Sequence, residues 1–185
     1  MLDELKKKAA ARMDKCVDTL KQAYTKLRTG RASTGLIDHL KVDYYGSEMP
    51  IGNCASIVVE DARTITITPW EKNMVGPIEK AIMASDVGIT PNTAGTAIRL
   101  VMPAMTEERR REVVKVVKHE AEQAKIAIRN VRRDAMQEVK DQLKQKLIST
   151  DDEKRSEADV QKLTDQHIAK VEETMAAKEK ETMSL

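Results

Sequence analysis

Arg129, Arg132 and Arg133 lie within two turns of one helical stretch, IRNVRRDAM (128–136). Their guanidinium forks suit bidentate contact with phosphate or carboxylate oxygens. What sets them apart is their company. At the i±3 and i±4 positions Arg129 has Lys125, Ile126, Arg132 and Arg133; Arg132 has Ile128, Arg129, Ala135 and Met136; Arg133 has Arg129, Asn130, Met136 and Gln137. None of these is acidic, and each like-charged pair costs a helix about 0.2 to 0.5 kcal/mol. One or more turns upstream the chain avoids that cost. Arg109, Arg110, Arg111, Lys115, Lys118 and Lys125 each have Glu107, Glu108, Glu112 or Glu122 at such a spacing.

Angle narrows the role. The apolar stripe of this stretch centres between Ile128 and Val131; Arg132 stands roughly 50° from that centre, Arg129 roughly 110° and Arg133 roughly 150°. Arg132 is therefore predicted at the edge of the buried stripe, with the other two facing water. Their counter-charge is either an anionic ligand or the acidic residues of another helix in the same fold.

Other chemistry finds little support. No Walker A loop, GxGxxG, HExxH or GxSxG pattern occurs, and His39, His119 and His167 sit in three different segments. Cys16 and Cys54 have neither CxxC nor metal-ligand spacing, so they read as reduced, inert thiols. Asp61 and Asp86 adjoin turn signals and read as backbone caps. No catalytic residue, metal ligand or cofactor is nominated. No run of 18 apolar residues is present, so no membrane span is expected. The N-terminal stretch lacks an apolar core and carries early acids, which predicts a cytoplasmic chain. With no Phe, one Trp and three Tyr, a platform for stacking single-stranded bases is lacking. A nucleic-acid partner is then expected to be structured RNA, read through phosphates, 2′-hydroxyls and shape. With three or four phosphates neutralised, raising salt from about 50 to 200 mM is expected to lower affinity by about one and a half to two decades.

The elements that must carry these arginines follow from charge and periodicity. Residues 1–31 hold 9 basic against 4 acidic side chains, 32–105 hold 5 against 8, 106–148 hold 12 against 8, and 149–185 hold 6 against 10. Basic and acidic segments in alternation fit a polyanionic partner, or a basic helix resting on an acidic one. Leu5, Ala9, Met13, Cys16, Leu20, Ala23 and Leu27 recur as one helix face, which Thr29-Gly30 ends. Thr106 starts a second helix whose stripe is Val114, Val117, Ala121, Ala124, Ile128, Val131 and Ala135. A third begins with a capping box at Thr150-Asp151-Asp152-Glu153 and buries Val160, Leu163, Ile168, Val171 and Met175. None can bury its stripe alone, so the three are expected as an antiparallel bundle, residues 1–30 and 105–185. Residues 31–104 follow a different grammar. Leu40, Val42 and Tyr44 alternate, Ile57-Val58-Val59 is an apolar run, and Ile65 and Ile67 alternate after a hairpin connection at 60–63. A short helix runs from about Pro77 to Ser85, GITPNTAG (88–95) is turn chemistry, and Ala97 to Met102 is a last strand. The fold class is thus α+β, a bundle carrying an inserted β-rich domain, joined at Thr29-Gly30-Arg31 and near Pro103. Gly30 is either a helix C-cap or part of a two-stranded hinge.

RTGRAS (28–33), VEDART (59–64), EKAIMASDVGITPNTAG (79–95), TEERRREVVK (106–115), EAEQAKIAIRNVRRDA (120–135) and DVQKLTD (159–165) resemble the bacterial ribosome recycling factors. The resemblance covers essentially the whole chain. It implies a three-helix bundle with an inserted β/α/β domain on a flexible hinge, L-shaped and monomeric. It implies no enzyme activity and no cofactor. The implied work is to bind the 70S ribosome after termination and, with elongation factor G and GTP, to split it into subunits that can initiate again. Carried onto this chain, contacts to large-subunit rRNA fall on Arg110, Arg129, Arg132 and Arg133. The hinge falls on Arg28, Thr29, Gly30 and Arg31 with the return at Pro103. Two rivals from other classes stand beside it, a helical adaptor whose acidic helix neutralises the basic one, and a hydrolase.

Overall fold

The computed structural model describes residues 1–184. In chain order its elements are α1 (Leu2–Lys26), β1 (Lys41–Tyr44), β2 (Ser47–Pro50), α2 (Ile51–Cys54), β3 (Ala55–Asp61), β4 (Thr64–Pro69), α3 (Val75–Ala84), β5 (Asn92–Ala94), β6 (Ala97–Val101), α4 (Glu107–Lys144) and α5 (Thr150–Met183). Two units form, Met1–Leu27 with Glu108–Ser184, and Arg28–Glu107.

The first unit is the packing of α1, α4 and α5. Directions follow from the cross-helix bonds. Tyr24 and Arg12 of α1 meet Val117 and Asp134 of α4, so these two run antiparallel. Lys6 and Asp14 of α1 meet Asp159 and His167 of α5, so those two run parallel. Each helix buries one stripe at helical spacing, though not every residue that periodicity selects. In α1 Val17 and Tyr24 are buried where Cys16 and Ala23 were expected. Tyr24 enters the core because its hydroxyl donates to the Val117 carbonyl oxygen at 2.7 Å, which removes the usual penalty for burying a phenol. In α4 Val113 replaces Val114. The difference is largest in α5, whose buried stripe includes Ser156, Thr164, His167 and Thr182, while Leu163, Ile168 and Met175 are half-buried. Thr164 and Thr182 donate to the carbonyls of Val160 and Lys178 one turn back. That satisfies their hydroxyls within the helix and lets them pack as small apolar residues.

The connection between α4 and α5 is short and chemically defined. Leu147 N–H bonds the Gln142 carbonyl at 3.0 Å and Lys146 N–H bonds that of Leu143 at 2.9 Å, a Schellman ending with Lys146 in the left-handed region at φ 59°. The capping box then sits one residue earlier than the sequence predicts. Ser149 is the N-cap, its hydroxyl accepting from Asp152 N–H while the Asp152 carboxylate accepts from Ser149 N–H. This register also puts Asp151, Asp152 and Glu153 in the first turn, against the positive end of the helix dipole.

The second unit is built on a four-stranded antiparallel sheet in the order β3-β4-β6-β5, with a separate β1-β2 hairpin. Ile65, Ile67, Ile98 and Leu100 alternate onto one face and are fully buried, and Ile78 and Ile82 of α3 join the same core. Strands β2 and β5 and the single turn α2 lie outside what the sequence predicts. The turn into β2 is Tyr45-Gly46, both with positive φ, and lacks the usual Asn-Gly signature. Its unusual tyrosine is held by a hydrogen bond from its hydroxyl to Glu71 at 2.8 Å, and Gly46 N–H bonds Asp43. Strand β5 has three residues, too few for alternation to register.

Candidate nucleic-acid interface

Helix α4 fans its arginines as its periodicity predicts. Ile128, Val131 and Ala135 are buried, Arg132 beside them is half-buried, and Arg129 and Arg133 are exposed. The acids that were to test the intramolecular alternative are committed elsewhere. Asp134, next in sequence to Arg133, takes Arg12 of α1 at 2.8 Å. On α5, Asp159 takes Lys6 at 2.5 Å, Glu172 takes Lys125, and Glu179 takes Lys118 at 3.5 Å. Among the described residues Arg129 and Arg133 have no hydrogen bond or ion pair, and Arg132 has one partner, the neutral Gln161, whose Oε1 accepts from its Nε at 2.7 Å.

Upstream on the same helix the pattern reverses. Arg109 pairs with Glu112 at 2.8 Å and Lys125 with Glu122 at 3.0 Å, as local spacing predicts. Lys125 is nearly buried, and its bonds to Glu172 and then Glu122 hold its pKa above the ordinary lysine value. Two sequence expectations need correction. Lys118 reaches across to Glu179 rather than sharing Glu122, whose carboxylate is taken by Lys125. Arg110 takes no acidic partner among the described residues, because its Nε is packed out of water without a bond and Glu107 is engaged with another group. Arg110 therefore joins Arg129, Arg132 and Arg133 as uncompensated charge on α4.

The segments expected to form a hinge are tied to the second unit at definite points. Helix α1 ends with Leu27 as its C-cap, so Gly30 is not that cap. Gly30 has φ 77°, a conformation that strains other residues, and a Cβ there would stand 3.0 Å from Met105 Cγ on the return segment, so the two crossings pass close together. Thr29 is buried, Arg31 and Pro103 are exposed, and Arg28 donates to the Asp86 carbonyl at 3.0 Å. Beyond these residues both crossings are clamped by the β3–β4 turn. Ala32 N–H bonds the Ala62 carbonyl at 2.8 Å and Met102 N–H bonds that of Arg63 at 2.7 Å. The Arg63 guanidinium closes on the Met102 carbonyl through Nε and Nη2 at 3.0 and 2.8 Å. Arg63 and Gln161 were not singled out from sequence, although both lie inside quoted blocks. A Gln four residues before an Asp, with the two bonded at 2.9 Å, is the local signal that was available for Gln161.

No described helix is long and apolar enough to cross a membrane. Cys16 is half-buried and Cys54 buried, both free, and burial raises both thiol pKa values, which suits inert thiols.

Comparison with known proteins adds independent findings. The family described as "Ribosome recycling factor" matches residues 20–183. The ribosome-recycling factor of Thioalkalivibrio sulfidiphilus is 57% identical over 157 residues, 85% of this chain and 85% of that one. That of Legionella pneumophila strain Paris is 53% identical over 156 residues, 84% of each. A solution structure of the ribosome recycling factor superposes with a TM-score of 0.77 at 41% identity, covering 100% of this chain and 98% of that one. A second structure describes the T. thermophilus ribosome recycling factor and the E. coli elongation factor G bound to the E. coli post-termination complex. It matches with a TM-score of 0.65 at 40% identity over 98% of each chain.

Proposed function

This chain belongs to the ribosome recycling factor family, and on that premise we propose that it binds the post-termination ribosome through large-subunit rRNA and, with elongation factor G and GTP, splits it into subunits. The observation that carries the rRNA contact is the uncompensated cluster on α4. Arg129, Arg132 and Arg133 stand without acidic partners while the neighbouring acids pair with Arg12, Lys6, Lys118 and Lys125. A guanidinium left unpaired at a protein surface next to a buried stripe is poised for phosphate, and A-form RNA presents phosphates and 2′-hydroxyls as rigid shape. Arg110 extends the surface along the helix.

The protein itself is proposed to perform no covalent chemistry. GTP is hydrolysed on its partner, and this monomeric, cytoplasmic chain supplies a rigid bundle, residues 1–30 and 105–185, that anchors on rRNA. Residues 31–104 are proposed to turn on Arg28, Thr29, Gly30 and Arg31 with the return at Pro103. The clamp at Ala62 and Arg63 supports this location for the pivot, since it fastens the crossings on their far side. The adaptor alternative requires α5 to neutralise the arginines, whereas its Asp159, Glu172 and Glu179 pair with lysines and its Asp165 bonds the neutral Gln161.

The test mixes purified post-termination ribosomes, this protein, elongation factor G and GTP, and follows subunit splitting by light scattering with each component omitted in turn. Splitting in the complete mixture alone is the expected result. No splitting under any condition would sink the proposal.

A further inference from the structure

DVQKLTD (159–165) places Gln161 of α5 against Arg132 and Asp165 behind it, and their bonding has a direction that chemistry dictates. Gln161 Oε1 accepts from Arg132 Nε at 2.7 Å, and Gln161 Nε2 donates to Asp165 Oδ1 at 2.9 Å. Guanidinium can only donate and carboxylate can only accept, so the amide sits in one orientation and a flip would break both bonds. The bond to Nε uses one of the five guanidinium N–H groups. The Nη1 and Nη2 end, the fork that grips a phosphate, has no other partner among the described residues.

The choice of glutamine matters electrostatically. Where α5 faces Lys125 and Lys118 it offers Glu172 and Glu179. Facing Arg132 it offers a neutral amide, whose other end is bonded to the Asp165 carboxylate one turn further along. A carboxylate at 161 would form the same hydrogen bond and cancel the charge; an apolar residue would keep the charge and lose the bond.

We infer that Gln161, oriented by Asp165, is a positioning residue that holds the Arg132 guanidinium with its Nη fork presented to an rRNA phosphate while leaving its positive charge intact. This rests on Arg132 being an rRNA anchor, as proposed above. A half-buried arginine loses less side-chain freedom on binding when one N–H is already fixed. The device thus separates two quantities, orientation and charge.

That separation makes the test. Binding of the full chain to purified 70S ribosomes is measured from about 50 to 200 mM salt for wild type, Arg132→Ala, Gln161→Glu and Gln161→Met, with thermal unfolding of each. Each phosphate contact contributes about 0.7 to 0.9 to the slope of log affinity against log salt. Arg132→Ala and Gln161→Glu are both expected to lower affinity about tenfold and to reduce the slope by about that one contact. Gln161→Glu gains an ion pair with Arg132 but loses the bond to Asp165 and sets two carboxylates one turn apart, so these effects oppose each other in its melting temperature and the salt slope carries its result. Gln161→Met keeps the volume and the charge; it is expected to weaken binding about two- to fivefold with the slope unchanged, because only orientation is lost. A purely structural role for Gln161 would lower the melting temperature and leave the slope alone in every Gln161 variant. If Arg132→Ala binds like wild type, the anchor itself fails. If Arg132→Ala is impaired but Gln161→Glu and Gln161→Met match wild type, the anchor stands and the positioning role is overturned.

Discussion

Two stretches of α4 face the same acidic helix and are treated differently. Around Lys118 and Lys125, α5 supplies Glu179 and Glu172, and Glu122 adds a second carboxylate to Lys125. Around residues 129–133 it supplies Gln161, and Arg129 and Arg133 have no partner among the described residues. Net charge does not explain the contrast, because acids are near in both places. Asp134 and Asp159 are simply turned to Arg12 and Lys6. The first stretch uses its charge to hold the bundle; the second leaves its charge without an acidic partner, as the proposed rRNA contact requires. Uncompensated charge is informative when compensation was within reach and went elsewhere.

The largest effect is expected from erasing the uncompensated side. Arg129→Ala/Arg132→Ala/Arg133→Ala should weaken ribosome binding on the order of a hundredfold or more and flatten the salt slope by about 2 to 3. Circular dichroism should retain the helices, since none of the three side chains pairs with an acid. Unchanged binding would end the contrast.

Breaking the compensated side should do the opposite. Glu172→Gln leaves Lys125, whose side chain is 11% exposed, with Glu122 alone. About 1 to 2 kcal/mol of stability should be lost, less than for a fully buried pair because Glu172 is half in water. That is about 2 to 8 °C in melting temperature for a chain of this size. Ribosome binding should stay within about twofold of wild type, a free-energy difference well under 1 kcal/mol. A fall in binding as large as the loss from the arginines would show that the two stretches are not separate.

A third test asks whether compensation between α1 and α5 behaves alike. Asp14 Oδ1 bonds Nε2 of the buried His167 at 2.7 Å, and that bond, with Lys170 nearby, holds the Asp14 pKa below its ordinary value. A depressed carboxylate stabilises the fold above its unfolded pKa of about 4 and loses that contribution as pH falls through the lower folded value. Denaturant midpoints should therefore fall between about pH 5 and 3, and Asp14→Asn should flatten that part of the profile. An identical slope in the variant would remove Asp14 from the account.

The smallest effect concerns the connection that sets which α5 residue faces which α4 residue. Lys146 sits at φ 59°, a conformation that costs a non-glycine residue about 1 kcal/mol. Lys146→Gly should relieve part of it, offset by the freedom glycine adds to the unfolded chain, for a net gain of about 0.5 kcal/mol. Melting temperature should rise by about 1 to 2 °C with binding unchanged. A lower melting temperature would mean that the lysine side chain contributes more there than its backbone costs.

The sequence by itself determined what is local. Helical stripes repeat every three or four residues, so α1, α4 and α5 were legible, and so was the absence of acids three or four positions from Arg129, Arg132 and Arg133. The angle that put Arg132 at the stripe edge followed from helix geometry alone. The hairpin at 60–63 was legible from its turn chemistry, whereas β5 was too short and the Tyr45-Gly46 turn too atypical to read. Only the tertiary structure decided the pairings across helices. That Lys118 meets Glu179, Arg132 meets Gln161, and Ala32 and Met102 meet the turn at Ala62 and Arg63 depends on packing of residues from 29 to 61 positions apart. Burial of Thr164, His167 and Tyr24 was decided there too, because a bond to a partner in place offsets the cost of taking each polar group out of water. Periodicity sees the chain's own helix, and such partners lie one turn back on the backbone or on another helix altogether.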